Sequence, residues 1–251
     1  METRSGREGP WSNPWPGALL RVKEETRSTM EDALELARAG GPSGSVAVAG
    51  YQSLGRGRVP GRAWVSAPWQ SLLATVVLRA GDLPFPVSQL PLRVGVATAL
   101  AVEETAGLDV RIKWPNDLMA GRRKLAGILC ENRAEAALVG IGVNCNQERF
   151  PPELARSACS ILQATGSAVD LPSLLAVLLL RVRDALGDEL WLEKLRRRLY
   201  GVGEPVRVDL IGSGRRIEGL LRDVGEDGLL AVELGDGSLA RVAQGEISPG
   251  P

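Results

Sequence analysis

The chain has 251 residues, 44% of them hydrophobic and 24% charged, with 30 basic side chains balanced by 30 acidic ones. That length allows one good-sized domain and a small one, and a net charge of zero argues against a general nucleic-acid or anionic-membrane binder, which is usually basic overall. Histidine is absent, which removes Ser-His triads, imidazole bases and histidine-ligated metals and leaves Lys, Arg, Asp and Glu for any chemistry.

Residues 1–18, with prolines and glycines among Trp11 and Trp15, read as a flexible arm too short for a three-helix DNA-binding unit. No apolar stretch of signal-peptide length is present there. Leu19 to Glu25 is a first strand. Ser28-Thr29-Met30-Glu31 then has the form of a capping box, Ser28 at N-cap and Glu31 at N3. The helix behind it buries Ala33, Leu34, Leu36 and Ala37 and stops at Gly40-Gly41. Ser28 and Thr29 can serve as simple caps or turn their hydroxyls to a polar ligand, because free backbone N–H groups point the same way.

Ser45 to Tyr51 reads as a strand leading into Gly55-Arg56-Gly57-Arg58-Val59-Pro60-Gly61-Arg62-Ala63-Trp64. Glycines and a proline make this stretch a loop. Its arginines suit carboxylates and phosphates, and Trp64 offers a flat face for stacking. Leu72 to Leu78 is a buried strand and Leu92 to Ala106 an alanine-rich helix. Val110 to Lys113 is a short strand that runs into Trp114-Pro115-Asn116-Asp117, where Pro115 ends regular pairing and leaves Asn116 and Asp117 at a turn.

Lys124 opens the apolar strand Lys124 to Glu131, in which Gly127 lets something flat approach the backbone; a lysine at a strand end is also a common edge gatekeeper. Leu138 to Asn146 is a further strand, with Gly140, Gly142, Asn144 and Asn146. Two strands that give up side-chain volume to glycine suggest a slot. The cysteines, 130, 145 and 159, have neither metal spacing nor an even count for a disulfide framework. Residues 171–200 are helical, and their longest apolar run, Leu174 to Leu180, is too short to span a bilayer. No membrane partner and a cytoplasmic location are the expectations. From Gly203 short β segments follow, Pro205 to Leu210, Arg216 to Asp223, Leu229 to Leu234 and Ser238 to Ala243, separated by glycine-rich turns. The division is therefore 1–18 arm, 19–201 main domain, 203–250 small β domain.

The loop 55–64, KWPND at 113–117, the Lys124–Glu131 strand, the Gly-Ile-Gly-Val-Asn-Cys-Asn run at 140–146 and Gly245-Glu246-Ile247-Ser248 occur together and in this order. In this combination the chain resembles the biotin protein ligases. The resemblance implies an α+β fold, with a mixed β-sheet flanked by helices of the class II tRNA synthetase-like kind, followed by a small SH3-like β-barrel. It implies ATP-dependent formation of biotinyl-5′-AMP and transfer of biotin to a lysine of a biotin carboxyl carrier domain, with Mg-ATP and biotin as substrates. By the same carry-over, the biotin-side residues are Ser28, Thr29, Met30, Gln52, Gly55, Arg56, Gly57, Arg58, Lys124, Gly127, Gly140 and Gly142. The nucleotide-side residues are Arg58, Arg62, Trp64, Asn116, Asp117, Lys124 and Asn144. Arg58, Lys124 and Asp117 are the catalytic candidates, with Asp117 a magnesium contact or a base. No metal site built from side chains is expected.

Residues 56–64 are the expected lid over the hydrolysable adenylate. Met30 stands where many relatives carry Asn, and Val59-Pro60 lengthens the loop by one residue. The lack of a winged-helix region implies a ligase with no repressor role, hence no DNA partner; a sheet-edge homodimer is left open. Two other readings stay in view: a lipoate-type ligase on the same fold, and a non-enzymatic nucleic-acid binder gripping through the glycine–arginine loop.

Overall fold

The computed structural model describes residues 11–59, 61, 63–133, 135–212 and 214–250. Its main sheet has seven strands: β1 (Leu20–Thr26), β2 (Val46–Gln52), β3 (Ser71–Arg79), β4 (Arg111–Lys113), β5 (Asp117–Ala120), β6 (Arg123–Arg133) and β7 (Ala136–Asn144). They lie in the order β1-β2-β3-β7-β6-β5-β4, with β1 and β2 parallel and every other pair antiparallel. The sheet is mixed, as the resemblance implies.

Alternation along the central strands sets two different faces. Leu72, Ala74, Val76 and Leu78 of β3 and Val139, Ile141 and Val143 of β7 point into the main core. There they meet α2 (Leu90–Ala106) and α4 (Leu171–Gly187). The alternate residues Val77, Ala136 and Leu138 face α1 (Thr29–Arg38), packing on Met30, Ala33, Leu36 and Ala37. Helix α1 covers only part of that second face, and the uncovered part is the floor of the site described below.

Ser28 does cap α1, its Oγ accepting from the Met30 backbone N at 3.3 Å. The reciprocal half of the capping box is not made. Glu31 turns outward to Arg27 at 3.7 Å instead. The expected loose arm is packed from Trp11 onward, residues 1–10 lying outside the described set. Trp15 is buried and its Nε1 donates to the Leu179 carbonyl at 2.7 Å, while Trp11 stacks obliquely on Trp69.

After β7 come α3 (Ile161–Thr165), α4 and α5 (Trp191–Arg198). The stretch expected to be helical over 171–200 is thus interrupted between α4 and α5. Asp188 caps α4 in an extended conformation, accepts from the Leu190 backbone N at 3.0 Å and pairs with Lys194 at 2.7 Å. A five-stranded antiparallel sheet closes the chain: β8 (Pro205–Leu210), β9 (Arg216–Val224), β10 (Leu230–Glu233), β11 (Leu239–Val242) and β12 (Gly245–Pro249), ordered β11-β10-β9-β8-β12. It is tied to the rest by a shared apolar cluster in which Leu92, Val96, Ile112, Trp114 and Leu195 meet Val206, Val208, Leu221, Leu230 and Val232. Buried Trp114 also donates from Nε1 to the Gly228 carbonyl at 3.0 Å. No helix among the described residues is long and apolar enough to cross a membrane.

Candidate functional site

The register of the main sheet lines up Leu73, Gly142, Gly127 and Asp117 across four neighbouring strands. Directly opposed residues share a face, and Thr75 and Gly140 form the next row on the same side. The two glycines leave a bare strip of backbone between the end of α1 and the Asp117 carboxylate. The strip is not empty. A Cβ placed on Gly142 would lie 2.8 Å from the Trp64 indole, and one on Gly127 would meet both Trp64 and the Lys124 ammonium at 3.3 Å. Gly140 is matched instead to Met30, whose Sδ stands 3.0 Å from a Cβ there. The glycine strip therefore seats an indole and a lysine side chain in this structure, with Trp64 Nε1 buried and without a hydrogen-bond partner.

Trp64 reaches this position because the loop folds back on itself. Its backbone N donates to the Gly55 carbonyl at 3.1 Å, and Arg56 bridges to Ala63. Gly55 is needed at the base, since a Cβ there would lie 2.7 Å from the Trp64 carbonyl oxygen. Arg56 faces Glu131 at 3.6 Å. Arg58 reaches across to β12, donating to the Gly245 carbonyl at 3.0 Å with Glu246 at 4.0 Å. Arg62 lies outside the described residues.

Two cavities adjoin on this face. The smaller, about 70 Å³, is lined by Ser28, Thr29, Gln52, Arg56 and Gly140 among others. The larger, about 510 Å³, is lined by Asp117, Asn144, Phe150, Ser157 and Glu246 among others. Gly57, Arg58, Trp64, Asn116 and Lys124 belong to both. Every described residue expected on the basis of the resemblance falls in or beside one of the two.

The polar groups of the smaller cavity are tied to one another. Gln52 Oε1 accepts from the Thr29 backbone N at 2.7 Å and from its Oγ1 at 2.9 Å, and Thr75 Oγ1 donates to Thr29 Oγ1 at 2.8 Å. This relay fixes the Gln52 amide with its oxygen committed and its NH₂ available as a donor. At the junction Lys124 Nζ contacts Asp117 Oδ1 at 2.7 Å. Asp117 does not sit in a turn, as its sequence neighbours suggest; it opens β5 opposite Lys113, and the chain reverses over 114–116. Asn116 is locked to β6, its Nδ2 donating to the Ile128 carbonyl at 2.9 Å and its carbonyl accepting from Ile128 N at 2.8 Å. The Lys124 backbone is held from the far side by the Ser157 carbonyl at 2.7 Å and by Cys159 N at 2.9 Å. Phe150, Leu154, Ser157 and Ala158 are cavity-lining residues that the sequence reading does not name, and Glu246 is one it names without a site role. No local pattern marks the first four, whereas Glu246 stands in a motif already singled out.

Arg58 and Lys124 line both the donor-lined cleft and the wider one, an arrangement for joining two anions. Residues 22–148 match the Biotin/lipoate A/B protein ligase family, and the chain belongs to that family. It is 33% identical over 235 residues to the bifunctional ligase/repressor BirA of Bacillus subtilis, covering 88% of this chain and 71% of that protein. It is 31% identical over 238 residues to the biotin--[acetyl-CoA-carboxylase] ligase of Mycobacterium tuberculosis, covering 91% and 88%. The structure is similar to the biotin protein ligase of Aquifex aeolicus in complex with biotin and ATP, with a TM-score of 0.81 and 30% identity over 92% of this chain and 97% of that one.

Proposed function

We propose that this chain is an ATP-dependent biotin protein ligase. The observation that carries the reading is the pair of adjoining cavities that share Arg58, Lys124, Asn116 and Trp64. In the first step a biotin carboxylate oxygen attacks the α-phosphorus of Mg-ATP and pyrophosphate leaves, giving biotinyl-5′-AMP. In the second a carrier lysine amine attacks the acyl carbon, the anhydride C–O bond breaks, AMP departs and the amine proton goes to solvent. The first step brings two anions together, so neutralising and orienting them is the main catalytic demand.

On this reading the smaller cavity takes the ureido end of biotin. The Gln52 amide donor and the Ser28 and Thr29 hydroxyls meet it, while Met30 packs beside it. Lys124 serves the carboxylate and the α-phosphate from a backbone pinned through both its N–H and its carbonyl to the 157–159 segment. Its ion pair with Asp117 holds the ammonium in place until the substrates arrive. Asn116, Asn144, Trp64 and Asp117 serve the nucleotide side. Asp117 is a single carboxylate, which suits a magnesium ion that arrives on the phosphates and keeps most of its waters. Arg56, Gly57 and Arg58 belong to the lid, which β12 anchors through Arg58.

We read 19–201 as the synthetase-like catalytic part and 203–250 as an SH3-like barrel, in a cytoplasmic enzyme that modifies a biotin carboxyl carrier domain. The short, donor-lined smaller cavity favours biotin over lipoate, whose linear chain wants a longer apolar channel. Biotin-dependent pyrophosphate–ATP exchange, with lipoate as the parallel acid, tests the proposal. Exchange with biotin alone is expected. Exchange with lipoate alone would move the assignment to the sister activity, and exchange with neither acid would refute adenylation.

A further inference from the structure

Arginine in this protein is mostly matched to a carboxylate, as in Arg196–Asp223, Arg207–Glu218 and Arg222–Glu233. Arg122, Arg123, Arg149 and Arg156 are among the described arginines that form no such ion pair. They are gathered on one surface. Arg122 and Arg123 lie at the β5–β6 turn. The 149–157 segment is stitched beside them, because Lys124 N donates to Ser157 O at 2.7 Å and Lys124 forms a parallel bridge with Ala158. Arg123 donates to Gln163 Oε1 at 3.3 Å, and Gln163 Nε2 donates to the Glu148 carbonyl at 2.9 Å.

Glu148 and Glu153 belong to the same surface without engaging these arginines in an ion pair. Four arginines face two glutamates, so the surface is net positive within a protein of zero net charge. None of the four arginines lines the large cavity, whereas Phe150, Leu154, Ser157 and Ala158 between and beside them do. They form an outer rim, placed to meet something larger than a nucleotide.

We infer that this arginine rim is the docking surface for an acidic face of the protein that brings the acceptor lysine. The inference rests on the ligase reading above. At the junction Lys124 is compensated by Asp117 and Arg58 lies near Glu246, so the unmatched charge at the cavity mouth is that of the arginine rim. A partner that carries carboxylates beside its lysine is attracted to that rim, gaining on-rate and a fixed orientation. Exposed guanidinium groups spread over a rim, rather than folded into the cavity, suit a protein surface and not the phosphate tail of ATP.

The test is the triple variant Arg122→Glu/Arg149→Glu/Arg156→Glu, assayed for both half-reactions. Biotin-dependent pyrophosphate exchange should match the unsubstituted protein. Transfer to a purified biotin carboxyl carrier domain should fall about tenfold in kcat/KM at low salt. The gap should close at about 0.5 M salt, where the screening length drops to a few Å. Transfer to hydroxylamine, a small acceptor that is neutral at pH 7.5, should not change. The milder Arg→Gln triple, less prone to misfolding, should show a smaller loss of the same kind. Unaltered kcat/KM for the carrier domain would overturn the inference. So would a raised KM for ATP in the exchange reaction, which would make the rim a phosphate site. Lack of exchange in the unsubstituted protein would strike the ligase reading first and the docking surface only with it.

Discussion

Gly142→Ala is a one-carbon perturbation whose consequence is set by a single neighbour. The added Cβ would stand 2.8, 2.9 and 3.0 Å from three carbons of the Trp64 indole. Carbon contacts settle at about 3.5–4.0 Å, so the ring has to withdraw by roughly 0.7–1 Å or the strand has to move. Overpacking of this kind costs about 1–3 kcal/mol. The indole is held from the other side by its own backbone bond to Gly55, which limits its retreat. Urea unfolding of Gly142→Ala, Trp64→Ala and the double variant closes the thermodynamic cycle. The glycine substitution should be costly alone and nearly free when Trp64 is absent. Gly127→Ala and Gly140→Ala should cost less, since their nearest atoms stand at 3.3 Å and at 3.0 Å on the flexible Met30 thioether. An equal cost of Gly142→Ala in both backgrounds would refute the argument that this glycine exists to seat Trp64.

Lys124→Ala should leave the fold intact and lower biotin-dependent exchange by about 10²–10³-fold, the scale of losing one charge-stabilising donor; an undiminished rate would remove Lys124 from the junction. Arg58→Gly cuts the link between lid and β12, and the expected result is adenylate escaping to label bystander lysines, read on blots of an added unrelated protein; unaltered selectivity would count against the lid. Trp114→Phe keeps an aromatic ring but removes the indole Nε1–H that the buried Gly228 carbonyl accepts, for a loss of about 1–3 kcal/mol in urea unfolding, to which the volume lost with the five-membered ring adds. Burial pushes the Cys145 thiol from an ordinary 9.0 up to about 12. The native thiol should therefore resist iodoacetamide at pH 8.5. Because the unfolded thiol ionises first, this residue's contribution to stability should fall as pH rises from about 9 toward 12, and Cys145→Ala should flatten that slope.

The central strands were legible within one or two residues, because a short apolar run such as Leu72 to Leu78, polar only at Thr75, suits a strand buried on both faces. The glycine and lysine motifs likewise named most of the cavity-lining residues. What escaped was non-local. Nothing near Gly245–Pro249 announces that it pairs with β8, from Gly245 opposite Leu210 to Pro249 opposite Val206. The apolar period continues past Asp188, so the break between α4 and α5 is decided by a side chain that caps and bridges, with Leu190 left 59% exposed beside it. Phe150 and Ser157 enter the site only because Lys124 pairs with their loop. Trp15 looked like part of a tail, since the carbonyl that holds it belongs to Leu179 on the distant α4.

Helix α2 has no solvent side in the ordinary sense. Leu90, Val94, Ala97 and Ala101 belong to the main core, while Leu92 and Val96 belong to the cluster shared with the C-terminal sheet. Until the ribosome has delivered β8 to β12, the stripe of Leu92, Val96, Ile112, Trp114 and Leu195 faces water. A premature stop after Gly201 would yield a sticky, chaperone-dependent polypeptide rather than a smaller working enzyme, and nascent chains of that length are where this protein is most exposed to aggregation.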